Sequence, residues 1–276
     1  MMSLFHPVQW LAFDPRGLVV RGAHQPGAMP VHLRYEKGFD AVWADVRERV
    51  LRAPGGFDGQ RAALVHWELE PARGTRPACL SLETGFRSYS QGTALKHLIA
   101  RDGHWDAEVL ASIADLPQPQ PGLSWGSSLT SVVLLPNGKV LAGQRSSHLQ
   151  ASPGVWSCAF TEILEPDDVS AWNMDDLLER LVRDELPLLA GKGTHRFVGL
   201  MLLPRSYTWS LVSVLDLRAQ PAHEMDALLA QMVPDEETQA WASLPLHSMP
   251  GLACADATES GPVQGLELAQ DLAARL

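Results

Sequence analysis

Leu129-Thr130-Ser131-Val132-Val133-Leu134-Leu135, then Pro136-Asn137-Gly138-Lys139, then Val140-Leu141-Ala142-Gly143-Gln144, is the stretch whose reading decides the fold. Two apolar runs of strand length flank an Asn-Gly pair, which reaches positive φ at little cost and so reverses the chain tightly. The spacing predicts a β-hairpin. Downstream, residues 175–189 set apolar side chains at helical spacing behind two opening acids, and residues 197–203 and 211–217 are further strand-length runs. Residues 266–276 read as a closing helix. Strands interleaved with helices predict an α/β fold over residues 124–276.

Upstream of the hairpin, Leu116-Pro117-Gln118-Pro119-Gln120-Pro121-Gly122 carries three prolines in five residues, which neither a helix nor a central strand accepts. We expect a linker at 117–123 and a smaller α+β domain over residues 1–116. Within that domain, residues 10–21 alternate apolar positions around Asp14-Pro15-Arg16-Gly17 and predict a short hairpin. Phe39, Val42, Trp43, Val46 and Val50 recur at helical spacing until Pro54-Gly55-Gly56, so residues 38–52 should form an amphipathic helix. Residues 62–69 and 78–82 read as strands and residues 95–100 as a helix.

The composition narrows the function. At 276 residues and 46% hydrophobic content the chain can bury real cores. Its longest apolar runs, such as Val198-Gly199-Leu200-Met201-Leu202-Leu203, are far short of the roughly 20 residues of a membrane span. Met1-Met2-Ser3-Leu4-Phe5-His6-Pro7 lacks the basic and apolar regions of a secretory signal, so the expected location is the cytoplasm. Cys79, Cys158 and Cys254 are scattered without metal or disulfide spacing and read as packed thiols. A net charge of -10 without a basic tract disfavours nucleic acid and points to a small molecule or a protein as partner.

One order of elements carries chemistry. The hairpin ends in Gly143-Gln144-Arg145-Ser146, and Pro153-Gly154-Val155-Trp156-Ser157, an acidic segment and a helix bearing Asp184-Glu185 follow. This order resembles the Nudix hydrolases, whose box reads G-x5-E-x7-R-E-U-x-E-E-x-G-U with U a bulky aliphatic residue. Arg180-Leu181-Val182-Arg183-Asp184-Glu185 aligns with its second half, and Glu162 to Asp168 aligns with its first. The pattern departs from the family at Glu162, Leu181 and Pro187, which replace Gly, Glu and Gly. Eleven residues also separate Asp168 from Arg180, where the family has seven. The segments Phe39-Asp40-Ala41-Val42-Trp43 and Phe86-Arg87-Ser88-Tyr89 are similar to the N-terminal region of the Nudix proteins that hydrolyse UDP-glucose and UDP-galactose.

The resemblance implies a Nudix-type α/β/α sandwich and a metal-dependent diphosphatase acting on a nucleotide sugar. Its metal, Mg2+ or Mn2+, would lie among Asp184, Glu185, Asp168 and Glu162, because a loop and helix that gather carboxylates suit a hard cation. Glu185, Asp184 and Glu162 are then the catalytic candidates. Leu181 lies one turn before the acid pair, where a Glu would be expected to add a ligand. Arg145, Arg180 and His148 are the candidates for substrate contact, Arg145 because a guanidinium matches a diphosphate. Arg180 is equally placed to pair with Asp184 one turn later. Isopentenyl-diphosphate isomerases share the fold, but Thr161 stands where their cysteine falls, which removes that chemistry. The open alternative is a catalytically silent domain that binds a nucleotide or a protein.

Overall fold

A computed structural model describes residues 9–29, 31, 33–53, 56, 58–101, 126–148, 153–157, 159–170, 174–203, 208–246 and 266–276. The fold is α/β. The 117–123 linker, Cys158 and Cys254 lie outside the described residues, and Cys79 is a buried free thiol. No described helix is long and apolar enough to cross a membrane.

The centre is β5 (Ser127–Leu135), buried at every one of its positions. It pairs in parallel with β10 (Thr208–Asp216), which pairs antiparallel with β9 (Thr194–Leu203). On its other side β5 has two neighbours in succession. Ser128 to Val132 pair with β8 (Ala159–Ile163), and Leu134 and Leu135 pair with β6 (Lys139–Arg145). The reversal into β6 is made by Asn137 and Gly138, with φ of 60° and 66°, as the Asn-Gly pair requires. Strand β6 then leaves β5 and pairs with β7 (Trp156–Ser157) and β11 (Thr238–Pro245).

Alternation along β5 divides the packing between two faces. Val132 and Leu134 pack with α6 (Leu266–Arg275), through Leu268, Ala269 and Leu272. Val133 and Leu135 pack with Val182 of α4 (Met174–Glu185) and Met225 of α5 (Ala222–Leu229), while Leu129 meets Leu177, Leu178 and Leu181 of α4. The short α3 (Pro166–Ser170) precedes α4. Helices therefore cover both faces of this sheet.

A second sheet has the order β2-β4-β3: β2 (Leu18–Ala28), β4 (Ala78–Ser88) and β3 (Gln60–Glu70). Helices α1 (Leu33–Arg52) and α2 (Tyr89–Arg101) pack with it, and α1 is interrupted at Gly38, whose φ is 94°. The expected hairpin over residues 10–21 does not form. Its turn exists, with the Gly17 amide donating to Asp14 O at 3.1 Å, but β1 (Gln9–Phe13) pairs with β9 of the large sheet and β2 with β4 of the small one. A local turn signal names a reversal, whereas pairing partners are chosen by long-range packing.

Strand β1 is held by the far end of the chain. Trp10 Nε1 donates to Asp271 Oδ2 of α6 at 2.7 Å, and the Trp10 ring lies across Gly199, where any Cβ would meet it at 2.5 Å. The two halves expected as separate domains share one core, in which Leu64, Leu80 and Leu98 stand with Leu177, Leu200 and Trp209. Across this junction the Ala62 amide donates to Leu164 O at 2.7 Å. The chain should accordingly unfold in one transition.

His195 on β9 lies with its Nε2 3.2 Å from Ser131 Oγ and 3.1 Å from Ser213 Oγ. Burial pushes its pKa down from 6.5 to about 4. A histidine held neutral in this way contributes stability that is full above pH 6.5 and is lost as pH falls towards 4. Urea midpoints should therefore fall between pH 7 and pH 4.5 in the native chain and fall less in His195→Gln. Equal slopes in both would remove His195 as the cause.

Candidate functional site

The sequence-predicted carboxylates fall on β8, α3 and the end of α4. Glu162 lies on β8, opposite Leu129, and so belongs to a strand and not to the loop expected from sequence. Asp168 is the third residue of α3, and Asp184 and Glu185 end α4. Arg180, one turn earlier on α4, ties Asp168 and Glu162 together. Its Nη2 is 2.7 Å from Asp168 Oδ1 and 3.0 Å from Glu162 Oε1. Its partners are the carboxylates of α3 and β8, and Asp184 sits instead 3.5 Å from Arg183 Nε.

Both oxygens of Asp168 are committed. Oδ2 accepts the Glu165 backbone amide at 2.8 Å, the return bond of a helix cap, and Oδ1 takes Arg180. Its side chain is only 9% exposed. Asp168 therefore positions Arg180 and the start of α3 and is not an available ligand as it stands. Among the described residues no three His, Cys, Asp or Glu side chains converge closely enough to hold a metal ion.

The pattern of charge identifies Glu185 as the unusual group. Burial raises its pKa, and Glu237, Asp235, Glu162 and Asp184 each add like charge. Glu162 is also raised, first by burial; Arg180 pulls it back, and Asp168 and Asp184 push it up again. The ion pair is uneven. Burial works against the charge of Arg180, but Asp168 and Glu162 outweigh it and hold its pKa above the ordinary value. Half-buried carboxylates with like neighbours are a common signature of functional sites.

Asp235 and Glu237 were not legible as site residues, because they precede β11, a strand without a clear sequence signal. They are placed by the Asp235 carboxylate, which accepts the Glu237 and Thr238 amides at 2.8 and 2.7 Å, and by Glu237 O, which accepts the Ser146 amide at 2.8 Å. The acid run Asp235-Glu236-Glu237 was the available clue. Phe160 of β8 and Trp241 of β11 stack with their ring centroids 5.6 Å apart. Arg145 is half-buried at the end of β6, directly opposite Thr238. His148 is exposed in the following turn, and no described contact joins it to the carboxylates.

Leu181 is turned into the core. It is 2% exposed and belongs to the stripe Met174, Leu177, Leu178, Leu181 and Val182 that seats α4 in the core, whereas the Asp184 side chain is 60% exposed. A carboxylate at 181 would enter the core. Behind Asp168 a small cavity of about 20 Å³ lies between the two sheets, lined by Leu64, Thr84, Ser127, Leu177 and Trp209. That is room for about one water.

Two substitutions separate these roles. Leu181→Glu should cost about 3–5 kcal/mol in denaturant unfolding and create no metal ligand. Glu185→Gln should raise the melting temperature at pH 7. A carboxyl with a raised folded pKa contributes stability that is present below its unfolded value and lost as pH rises through the folded one, so the gain should vanish near pH 4. A lower melting temperature for Glu185→Gln at pH 7 would contradict the crowding of charge around it.

No protein-family model matches the chain. No curated protein matches it either. Among solved structures, DR0079 from Deinococcus radiodurans is similar at 16% identity over 54% of this chain and 81% of that one. Its TM-score is 0.36.

Proposed function

We propose that the chain is a metal-dependent hydrolase of the Nudix type, cleaving a nucleoside diphosphate linked to another group, with nucleotide sugars as the substrate class. The reading rests on Glu185, a half-buried carboxylate surrounded by the charges of Glu237, Asp235, Glu162 and Asp184. Such a field favours a bound cation, and oxygen donors of this kind suit Mg2+ or Mn2+. Glu185, Asp184 and Glu162 would hold it. When bound, the metal supplies neutralisation of diphosphate charge and an acidified water. Asp168 and Arg180 orient Glu162. Arg145, at the end of β6, is the residue for the diphosphate, and His148 remains an outer substrate contact.

A second reading is a silent domain that binds a nucleotide or a protein. It is favoured by the burial of Leu181 and by the engagement of Asp168 and Arg180 with each other. The two readings separate in a panel of nucleotide sugars with Mg2+ or Mn2+. The hydrolase releases a nucleoside monophosphate and a sugar phosphate, and Glu185→Gln lowers the rate by about 10²–10⁴-fold without changing the circular dichroism. No product from any member of the panel would leave the silent domain.

A further inference from the structure

Ser127 opens β5 two residues before Leu129, and strand alternation sends both side chains to the face that α4 covers. Its hydroxyl is an exception in this core. Ser127 is 6% exposed, and among the described residues its Oγ finds no hydrogen-bond partner. The next hydroxyls along β5 are all satisfied. Ser128 Oγ donates to Ser210 Oγ at 2.9 Å, Thr130 Oγ1 lies 2.7 Å from the same atom, and Ser131 Oγ lies 3.2 Å from His195 Nε2. Leaving a buried hydroxyl unpaired is costly, so native folds answer nearly all of them, with protein groups or with ordered water.

Ser127 lines the cavity of about 20 Å³ between the two sheets, together with Thr84 of β4 and Asp168 of α3. A water needs about 10–15 Å³ of such space and at least two polar partners. Ser127 Oγ is one partner, able to donate and to accept. Asp168 is the other. Its oxygens already accept from Arg180 and from the Glu165 amide, but a carboxylate has about four lone-pair positions and takes further donors. Thr84 and Trp209, on the same wall, have interactions of their own, so neither is needed. The remaining lining suits a neutral occupant: seven of the eleven residues are leucine or methionine, whereas a hard cation wants about six oxygens. Arg180 already answers the charge of Asp168.

We infer that this cavity is a binding site for one internal water, which bridges Ser127 Oγ of the large sheet to the Asp168 carboxylate of α3. The water donates to Asp168 and shares a hydrogen bond with Ser127, so the buried hydroxyl is satisfied. Asp168 gains a third hydrogen bond. The brace that runs from Asp168 through Arg180 to Glu162 is thereby anchored in the core between the two sheets, and Ser127 acts on it through the water. The water is independent of any ligand at Glu185.

The test combines a high-resolution crystal structure of the full chain with oxygen-17 magnetic relaxation dispersion in solution. Density for one water is expected within hydrogen-bonding distance of both Ser127 Oγ and an Asp168 oxygen. The dispersion amplitude should fall by one long-lived water in Ser127→Val, which removes the hydroxyl and fills the space with methyl groups. In the same variant the Glu165 amide, which donates to Asp168 Oδ2, should exchange with solvent deuterium about threefold faster or more. Should Ser127→Val fail to fold, the density in the native chain decides alone. A cavity without water density, one that takes up xenon under pressure in the native crystal, or a dispersion amplitude unaltered in Ser127→Val overturns the assignment.

Discussion

The rest of the molecule depends on the pairing of β5. Because both of its faces are buried, every neighbour must bring either a strand edge or an apolar helix face. Its parallel partner β10 occupies one edge along eight paired residues, and the opposite edge is divided between β8 and β6. That division has a structural cost in ladder continuity. Strand β6 turns away to meet β7 and β11, and Glu185 at the end of α4 comes within electrostatic reach of Glu162 on β8 and of Asp235 and Glu237 before β11.

Helix α4 shows how packing outranks chemistry at single positions. Its stripe of Leu177, Leu178, Leu181 and Val182 fixes its rotation on the sheet, and the polar residues take whatever faces remain. Arg180 lands between β8 and α3, and Asp184 and Glu185 land at the end of the helix. The Asp168 carboxylate then joins α3 to α4 by capping one and pairing with the other. The result is a set of braced carboxylates beside a set of crowded ones. Glu162 belongs to both, paired with Arg180 and close enough to Glu185 to raise its pKa.

Much of this was legible from residues alone, and the misses have one physical cause. Asn137-Gly138, the stripe of α4 and the amphipathic face of α1 are local signals, and each appears where its period or turn chemistry predicts. The partners of β1 and β2, the placing of Glu162 on a strand and the extension of β4 through Arg87 are products of pairing with distant segments, which no local window contains. The site divides in the same way. Asp184, Glu185 and Glu162 could be grouped because they sit in one motif-like run, whereas Asp235 and Glu237 reach Glu185 only through β11. Leu181 was misread because helical spacing alone does not say which face is buried.

The account stands on the claim that the charge around Glu185 is arranged for a divalent cation. Calorimetric titration of the full chain with Mn2+ measures this most directly. The account predicts saturable binding in the millimolar range or tighter, weakened by about tenfold or more in Glu185→Gln. The absence of a binding heat up to several millimolar, or binding that Glu185→Gln leaves unaltered, would contradict it.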